Sequence, residues 1–143
     1  MAIEKLAHYS IRTHDLDASR RFYVDLLGLR PGYRPPFPFP GVWLYAGEGD
    51  DDHGVVHLIG ITAPDELAAY LGNRPLARGT GALDHIAFVA DDWPRMKANC
   101  DECGVPYVER TVPLLGLHQV FVTDPSGVVI ELNFLSPSSP SRR

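Results

Sequence analysis

Three histidines and one glutamate stand in apolar, strand-like stretches of the chain. Their contexts are "AHYSIRT" for His8, "VVHLIG" for His57, "LDHIAFVA" for His85 and "VVIELNF" for Glu131. A carboxylate buried alone in such a stretch costs several kcal/mol unless a partner compensates its charge. Neutral imidazoles together with a carboxylate bind divalent iron, nickel, cobalt, manganese or zinc. The four residues are therefore candidate ligands of a cation that also compensates the charge of Glu131.

The order of predicted elements repeats along the chain. Alternating residues predict a strand at 3–13, apolar spacing predicts a helix at 14–28 that Asp15 caps, and three extended segments follow. The same order returns in the C-terminal half. We predict an α+β fold of two tandem βαβββ modules whose curved mixed sheets form a metal-binding cavity. The predicted bounds are 1–62 and 82–135, with a linker that contains a short helix at 63–81 and a disordered Pro/Ser-rich tail at 136–143.

The four candidate ligands occupy equivalent positions in the two modules. His8 and His85 fall in the first strand of each module, and His57 and Glu131 fall in the last. Alternation places Glu131 on the strand face opposite the apolar residues that belong against the helices. If both sheets face a common cavity, all four side chains can converge there.

Composition excludes several classes of function. The chain has 143 residues, of which 45% are hydrophobic and 22% charged, as is ordinary for a globular protein. Its net charge of -5 argues against binding to nucleic acid, which needs a basic face. No apolar run approaches the roughly 18 residues of a membrane span, and no signal peptide is evident, so we expect a cytoplasmic protein.

The only two cysteines, Cys100 and Cys103, lie together in "CDEC". Such a pair can be a redox motif or half of a zinc site. Their spacing with Trp93 and Met96 is that of the apolar stripe of a helix, and no second cysteine pair is present. We therefore predict that both cysteines are packing residues.

Three stretches of the sequence, from about residue 4 to 135, resemble the vicinal oxygen chelate superfamily. They are "HYSIRTHDLDASRRFYVDLLGLRP", "GTGALDHIAFVADD" and "VFVTDPSGVVIELN". The superfamily includes glyoxalase I, type I extradiol dioxygenases and bleomycin resistance proteins. The resemblance implies metal ligands at His8, His85 and Glu131 and a homodimer. Position 57, where glyoxalase I has a glutamate, is His57 in this chain.

The resemblance also implies a small-molecule substrate that chelates the metal through adjacent oxygens. With four protein ligands, an octahedral ion keeps two open positions, which suits a glyoxalase I-like lyase or isomerase with Glu131 as base. If His57 does not ligate, it becomes an acid or base, and an iron(II) ring-cleaving dioxygenase is the alternative. The repeat favours the first possibility, with Glu131 and His57 as catalytic residues. A metal-free, bleomycin-resistance-type binding protein is a further alternative.

Five other residues are candidates for contacts with the substrate. Arg12 matches by position an arginine with which glyoxalase I holds the glutathione carboxylate, although Arg12 could equally form a surface salt bridge. The aromatic residues of "YRPPFPFPGVWLY" could form a lip over the cavity or pack locally in a stiff Pro-rich loop. The last candidate is His118, a histidine in a predicted strand that could line the cavity. The set is Arg12, Tyr33, Trp43, Tyr45 and His118.

Overall fold

Residues 2–48, 54–112 and 116–135 are described by the computed structural model. The chain divides into two compact units, Met1–Ala77 and Arg78–Arg143. Each unit contains one four-stranded mixed sheet in the order βαβββ, so the predicted tandem fold is confirmed. The predicted tail at 136–143 lies outside the described residues.

The first unit is built on a sheet with the strand order β1-β4-β3-β2. The first and last strands pair in parallel, and the other pairs are antiparallel. The helix predicted in the linker belongs to this unit as α2 (Pro64–Leu71). The remaining elements are β1 (Tyr9–Thr13), α1 (Leu16–Arg21) with a π-helical continuation (Phe22–Leu26), β2 (Arg30–Gly32), β3 (Gly41–Tyr45) and β4 (Val56–Gly60).

The start of the first unit follows the sequence signals only in part. Asp15 caps α1 as predicted, because its carboxylate accepts a hydrogen bond of 2.9 Å from the backbone N–H of Ala18. Gly28 follows the helical segment with a φ of 80°, a backbone conformation that favours glycine. The predicted strand at 3–13 was too long, since β1 begins at Tyr9 and His8 lies just before it.

The second unit has the equivalent strand order β5-β8-β7-β6. Asp92 caps its helix by accepting a hydrogen bond of 3.2 Å from the N–H of Arg95. Cys100 is buried, but Cys103 is exposed, so the prediction that both are packing residues was wrong for Cys103. The elements are β5 (Ile86–Ala90), α3 (Trp93–Cys103), β6 (Val108–Val112), β7 (Leu117–Thr123) and β8 (Val129–Leu135).

The two sheets use the same register around the candidate ligands. In the first sheet, Ser10 of β1 lies opposite His57 of β4. In the second sheet, Ala87 of β5 lies opposite Glu131 of β8. His8 and His85 were predicted within the first strands, but each lies just before its strand and two residues before that partner. Each unit therefore has one histidine next to the candidate ligand of its last strand. None of the helices in the described ranges combines the length and apolarity needed to cross a membrane.

Candidate metal and substrate site

Glu131 is buried on β8, and each of its carboxylate oxygens lies near a polar group. Oε1 lies 3.4 Å from Nε2 of His85. Oε2 accepts a hydrogen bond of 2.8 Å from Nδ2 of Asn133, which lies on the same strand face. The carboxylate that the sequence placed in an apolar run thus has two polar neighbours within its own unit.

The imidazole of His85 is oriented by Asp84 and Phe121. Its Nδ1 lies 2.8 Å from Oδ2 of Asp84, so in the neutral ring Nδ1 carries the hydrogen and the lone pair is on Nε2. The ring meets Phe121 of β7 edge to face, with ring centroids 6.0 Å apart. A carboxylate behind the imidazole is the arrangement that orients metal-ligating histidines.

The pair of His85 and Glu131 fits a divalent cation. The lone pair of a neutral Nε2 would point at a lone pair of the carboxylate oxygen, and the two would repel each other. A proton or a cation between the two atoms makes the contact favourable. Their separation of 3.4 Å exceeds the roughly 2.7–2.9 Å of a charge-assisted hydrogen bond. Two ligand atoms that each lie about 2.1 Å from one ion are roughly 3.0 Å apart at a right angle and roughly 3.4 Å apart at a tetrahedral angle, so the observed separation suits two ligands of one ion.

The equivalent residues of the first unit form a stack. The ring of His57 lies between those of His8 and Trp43, with centroid distances of 3.8 and 3.9 Å and interplanar angles of 19° and 5°. A metal ion lies in the plane of the imidazole that binds it, about 2 Å beyond the nitrogen. Because stacked rings share no such point, one ring would have to turn before His8 and His57 could bind one ion.

Within each unit, the described side chains that could ligate a metal meet in pairs, and none of them forms a group of three or more. The predicted ligand set of His8, His57, His85 and Glu131 is therefore represented by two pairs, one in each unit. That the two pairs act together stays a prediction.

A cavity of about 330 Å³ opens beside the stack of the first unit. Trp43 and His57 line it from the sheet, Phe37 and Phe39 from the segment before β3, and Tyr70 from α2. The ring centroids of Phe37, Phe39 and Tyr70 lie 5.1 to 5.3 Å apart. The cavity therefore offers aromatic surfaces next to an imidazole.

Arg34 also lines this cavity and is held in place by its neighbours. Its Nη2 donates a hydrogen bond of 2.8 Å to the carbonyl oxygen of Phe39, and its guanidinium lies 5.1 Å from the ring centroid of Phe37. Burial lowers the pKa of Arg34 from its usual value. The side chain braces the Pro-rich segment and adds a positive charge to the rim of the cavity.

Arg12 has a structural role in the first unit. Its two terminal nitrogens each donate a hydrogen bond of 2.8 Å, one to the carbonyl oxygen of Arg74 and one to that of Pro75. These bonds tie β1 to the segment after α2. The prediction that Arg12 binds the substrate stays untested beside this structural role.

The aromatic candidates are divided by the structure. Trp43 lines the cavity, whereas the lining residues do not include Tyr33 or Tyr45. Tyr33 is 71% exposed, and Tyr45 is buried with its hydroxyl donating a hydrogen bond of 2.6 Å to the carbonyl oxygen of Tyr33. Tyr70 was not predicted as a cavity residue, because nothing in the spacing of α2 distinguishes a cavity residue from a surface tyrosine.

His118 lies on the other face of the second sheet. It is the cross-strand partner of Phe134, while Glu131 is the partner of Phe121. Residues at 131 and 134 point to opposite faces of β8. The ring of His118 packs 5.2 Å from that of Trp93 on α3, so the structure does not bring this candidate together with Glu131.

The family sequence model of the Glyoxalase/Bleomycin resistance protein/Dioxygenase superfamily matches residues 5–132 of this chain. The chain therefore belongs to this superfamily, and the resemblance noted from its motifs is confirmed. A "Probable lactoylglutathione lyase" of Vibrio parahaemolyticus is 31% identical over 140 residues, which cover 92% of this chain and 91% of that protein. "Glyoxylase I 4" of Arabidopsis thaliana is 29% identical over 134 residues, which cover 91% of this chain and 70% of that protein.

Solved structures show the same fold at lower sequence identity. The crystal structure of lactoylglutathione lyase from Agrobacterium tumefaciens matches with a TM-score of 0.62 and 22% identity over 94% of this chain and 96% of that chain. At this identity the likeness concerns the fold alone.

Proposed function

We propose that this protein is a metal-dependent, glyoxalase I-like lyase or isomerase whose small substrate chelates a divalent cation through adjacent oxygens. The observation that carries the proposal is the contact between His85 and Glu131, with Asp84 behind the imidazole. Relatives named lactoylglutathione lyase, at about 30% identity over nearly the whole chain, support the class of reaction.

His85 and Glu131 would hold the cation through Nε2 and Oε1. His8 and His57 are the further ligands that the repeat predicts, within one chain or across a homodimer. Histidine nitrogens and a carboxylate oxygen suit iron, nickel, cobalt, manganese or zinc. When bound, such an ion acts as a Lewis acid that stabilises negative charge on a substrate oxygen.

Glu131 is the residue that we expect to move the proton. An isomerisation between adjacent carbons needs one base that removes a proton from the first carbon and returns it to the second. Asn133 holds Oε2, so Oε1 is the oxygen that would leave the cation and take the proton. His57, stacked between His8 and Trp43, would be a second acid or base only where it does not bind the cation.

The aromatic cavity of the first unit supports a second candidate function. Flat surfaces from Phe37, Phe39, Trp43 and Tyr70 could hold an apolar ligand without any metal. In that case the protein would bind and sequester a small molecule, as the bleomycin resistance proteins of its superfamily do.

Turnover of a glutathione adduct tests the proposal. Protein reconstituted with nickel, cobalt, manganese, iron or zinc would be mixed with the adduct of glutathione and a 2-oxoaldehyde, and formation of the 2-hydroxyacyl thioester would be followed. We expect turnover with at least one metal and its loss in Glu131→Gln, which keeps the shape of the side chain. Tight binding of aromatic molecules with no turnover under any metal would favour sequestration instead.

A further inference from the structure

A chain of hydrogen bonds crosses three strands of the second sheet and ends on Glu131. Nε of Arg110 donates to Oε1 of Gln119 at 2.9 Å. Nε2 of Gln119 donates to Oδ1 of Asn133 at 3.1 Å. Nδ2 of Asn133 then donates to Oε2 of Glu131 at 2.8 Å.

The register of the sheet produces this chain. Arg110 of β6 lies directly opposite Gln119 of β7, and Gln119 lies opposite Asn133 of β8. Cross-strand partners on one face have neighbouring side chains, so the three form a row across the sheet. Glu131 lies two residues from Asn133 and shares its face. A shift of β7 by one residue would send Gln119 to the other face and break the row.

The residue types fix the direction of every bond in the row. An arginine side chain has donors only, and an ionised carboxylate has acceptors only. Because Arg110 can only donate, the oxygen of Gln119 must face it, and the amino group of Gln119 then faces Asn133. The oxygen of Asn133 receives that bond, which leaves its amino group for Glu131. Reversing either amide would place two oxygens or two amino groups against each other.

We infer that Asn133 and Gln119 are positioning residues that hold Oε2 of Glu131 and thereby direct Oε1 to Nε2 of His85. Gln119 and Glu131 are each only 7% exposed, and hydrogen bonds are stronger away from water. Arg110, the first residue of the row, is exposed, and a cation–π contact of its guanidinium 5.3 Å from the ring centroid of Phe121 supports its position. The consequence for metal binding rests on the proposed function.

Cobalt titration of the full chain by calorimetry tests this consequence. We expect Asn133→Leu, which has a similar shape and no hydrogen bond, to weaken binding by about 10- to 100-fold, as loss of an outer partner does in metal sites. Thr111→Val is the matched control, because Thr111 lies beside Arg110 on β6 and pairs with His118 on the opposite face. Equal cobalt affinity in Asn133→Leu and Thr111→Val, with unchanged unfolding midpoints, would overturn the inference.

A second variant separates the direction of the bonds from simple packing. Gln119→Glu keeps the size of the side chain and gives Arg110 an acceptor, but it cannot donate to Asn133. Its added negative charge alone would strengthen binding of a cation. Because the inference depends on the direction of these hydrogen bonds, we expect Gln119→Glu to bind cobalt more weakly than the unchanged protein. Unchanged or stronger binding would contradict the inference.

A measurement without metal distinguishes this inference from the proposed function. In nuclear magnetic resonance spectra of the metal-free protein, we expect the side-chain amide signals of Asn133 to shift in Gln119→Met and to stay in place in Thr111→Val. If the side-chain amide signals of Asn133 do not shift in Gln119→Met, the proposed row of hydrogen bonds is wrong. If these signals shift as expected while the unchanged protein binds no cobalt, the proposed metal function fails and the positioning of Glu131 stands.

Discussion

Replacing Glu131 by glutamine removes the charge of the side chain and keeps its shape. In the variant, the oxygen of the new amide must face the amino group of Asn133, so its own amino group faces Nε2 of His85. Both neighbours therefore keep a hydrogen-bond partner. We expect the free energy of unfolding without metal to change by less than about 1 kcal/mol.

Metal binding should respond far more strongly than stability. An amide nitrogen that faces the site is no ligand for a divalent cation, so Glu131→Gln loses a direct ligand together with its negative charge. Loss of an outer partner alone weakens binding by about 10- to 100-fold. We therefore expect the zinc affinity to fall at least about 100-fold, which corresponds to about 2.8 kcal/mol.

Chemical denaturation with and without zinc measures both effects. At a zinc concentration about 100 times the Kd of the unchanged protein, binding adds about 2.7 kcal/mol to its free energy of unfolding. The same concentration equals the Kd of a variant that binds 100-fold more weakly, so binding adds only about 0.4 kcal/mol there. An equal zinc-dependent gain in both proteins would refute the assignment of Glu131 as a ligand. A loss of more than about 3 kcal/mol without metal would refute the hydrogen bonding described for the variant.

Three further outcomes test other parts of the structure. Asp84→Ala should weaken cobalt binding by about 10-fold in calorimetry, because His85 loses the carboxylate behind its ring. In urea denaturation, the free energy of unfolding should change by less than about 0.5 kcal/mol, because the Asp84 side chain is 93% exposed. Asp15→Ala should cost about 1 kcal/mol of stability in urea denaturation, since the cap of α1 is lost. One thiol per chain, Cys103, should react rapidly with a thiol reagent in the folded protein, because Cys100 is buried and burial raises the pKa of its thiol; rapid reaction of both thiols would contradict the burial of Cys100.

The repeat in the sequence predicted equivalent strand positions for the candidate ligands, and the structure brings them together as one pair in each unit. The first and last strands of a βαβββ module are parallel neighbours here, so residues at equivalent positions in them come together. This is why His85 lies beside Glu131 and His8 beside His57. Strand alternation also placed Asn133 on the face of Glu131, although its hydrogen bond was not predicted.

The periodicity of the sequence could not predict ring orientations or the pairing of strands. Periodicity gives the face of a strand but not the torsion of an imidazole, so the stacking of His57 between His8 and Trp43 could not be predicted. The face of His118 depends on its pairing with Phe134, which appears only when β7 and β8 are aligned. Tyr70 reaches the cavity because α2 packs within the first unit, whereas the sequence predicted a short helix in a linker between the modules.

Metal analysis of the unmodified protein tests the central claim most directly. The claim is that His85 and Glu131 hold a divalent cation. Protein purified without chelator under anaerobic conditions would be assayed for iron, nickel, cobalt, manganese and zinc, next to Glu131→Gln prepared in the same way. We expect near-stoichiometric metal in the unchanged protein and strong depletion in the variant. Equal metal content in the two proteins, or no metal even after reconstitution, would contradict the claim.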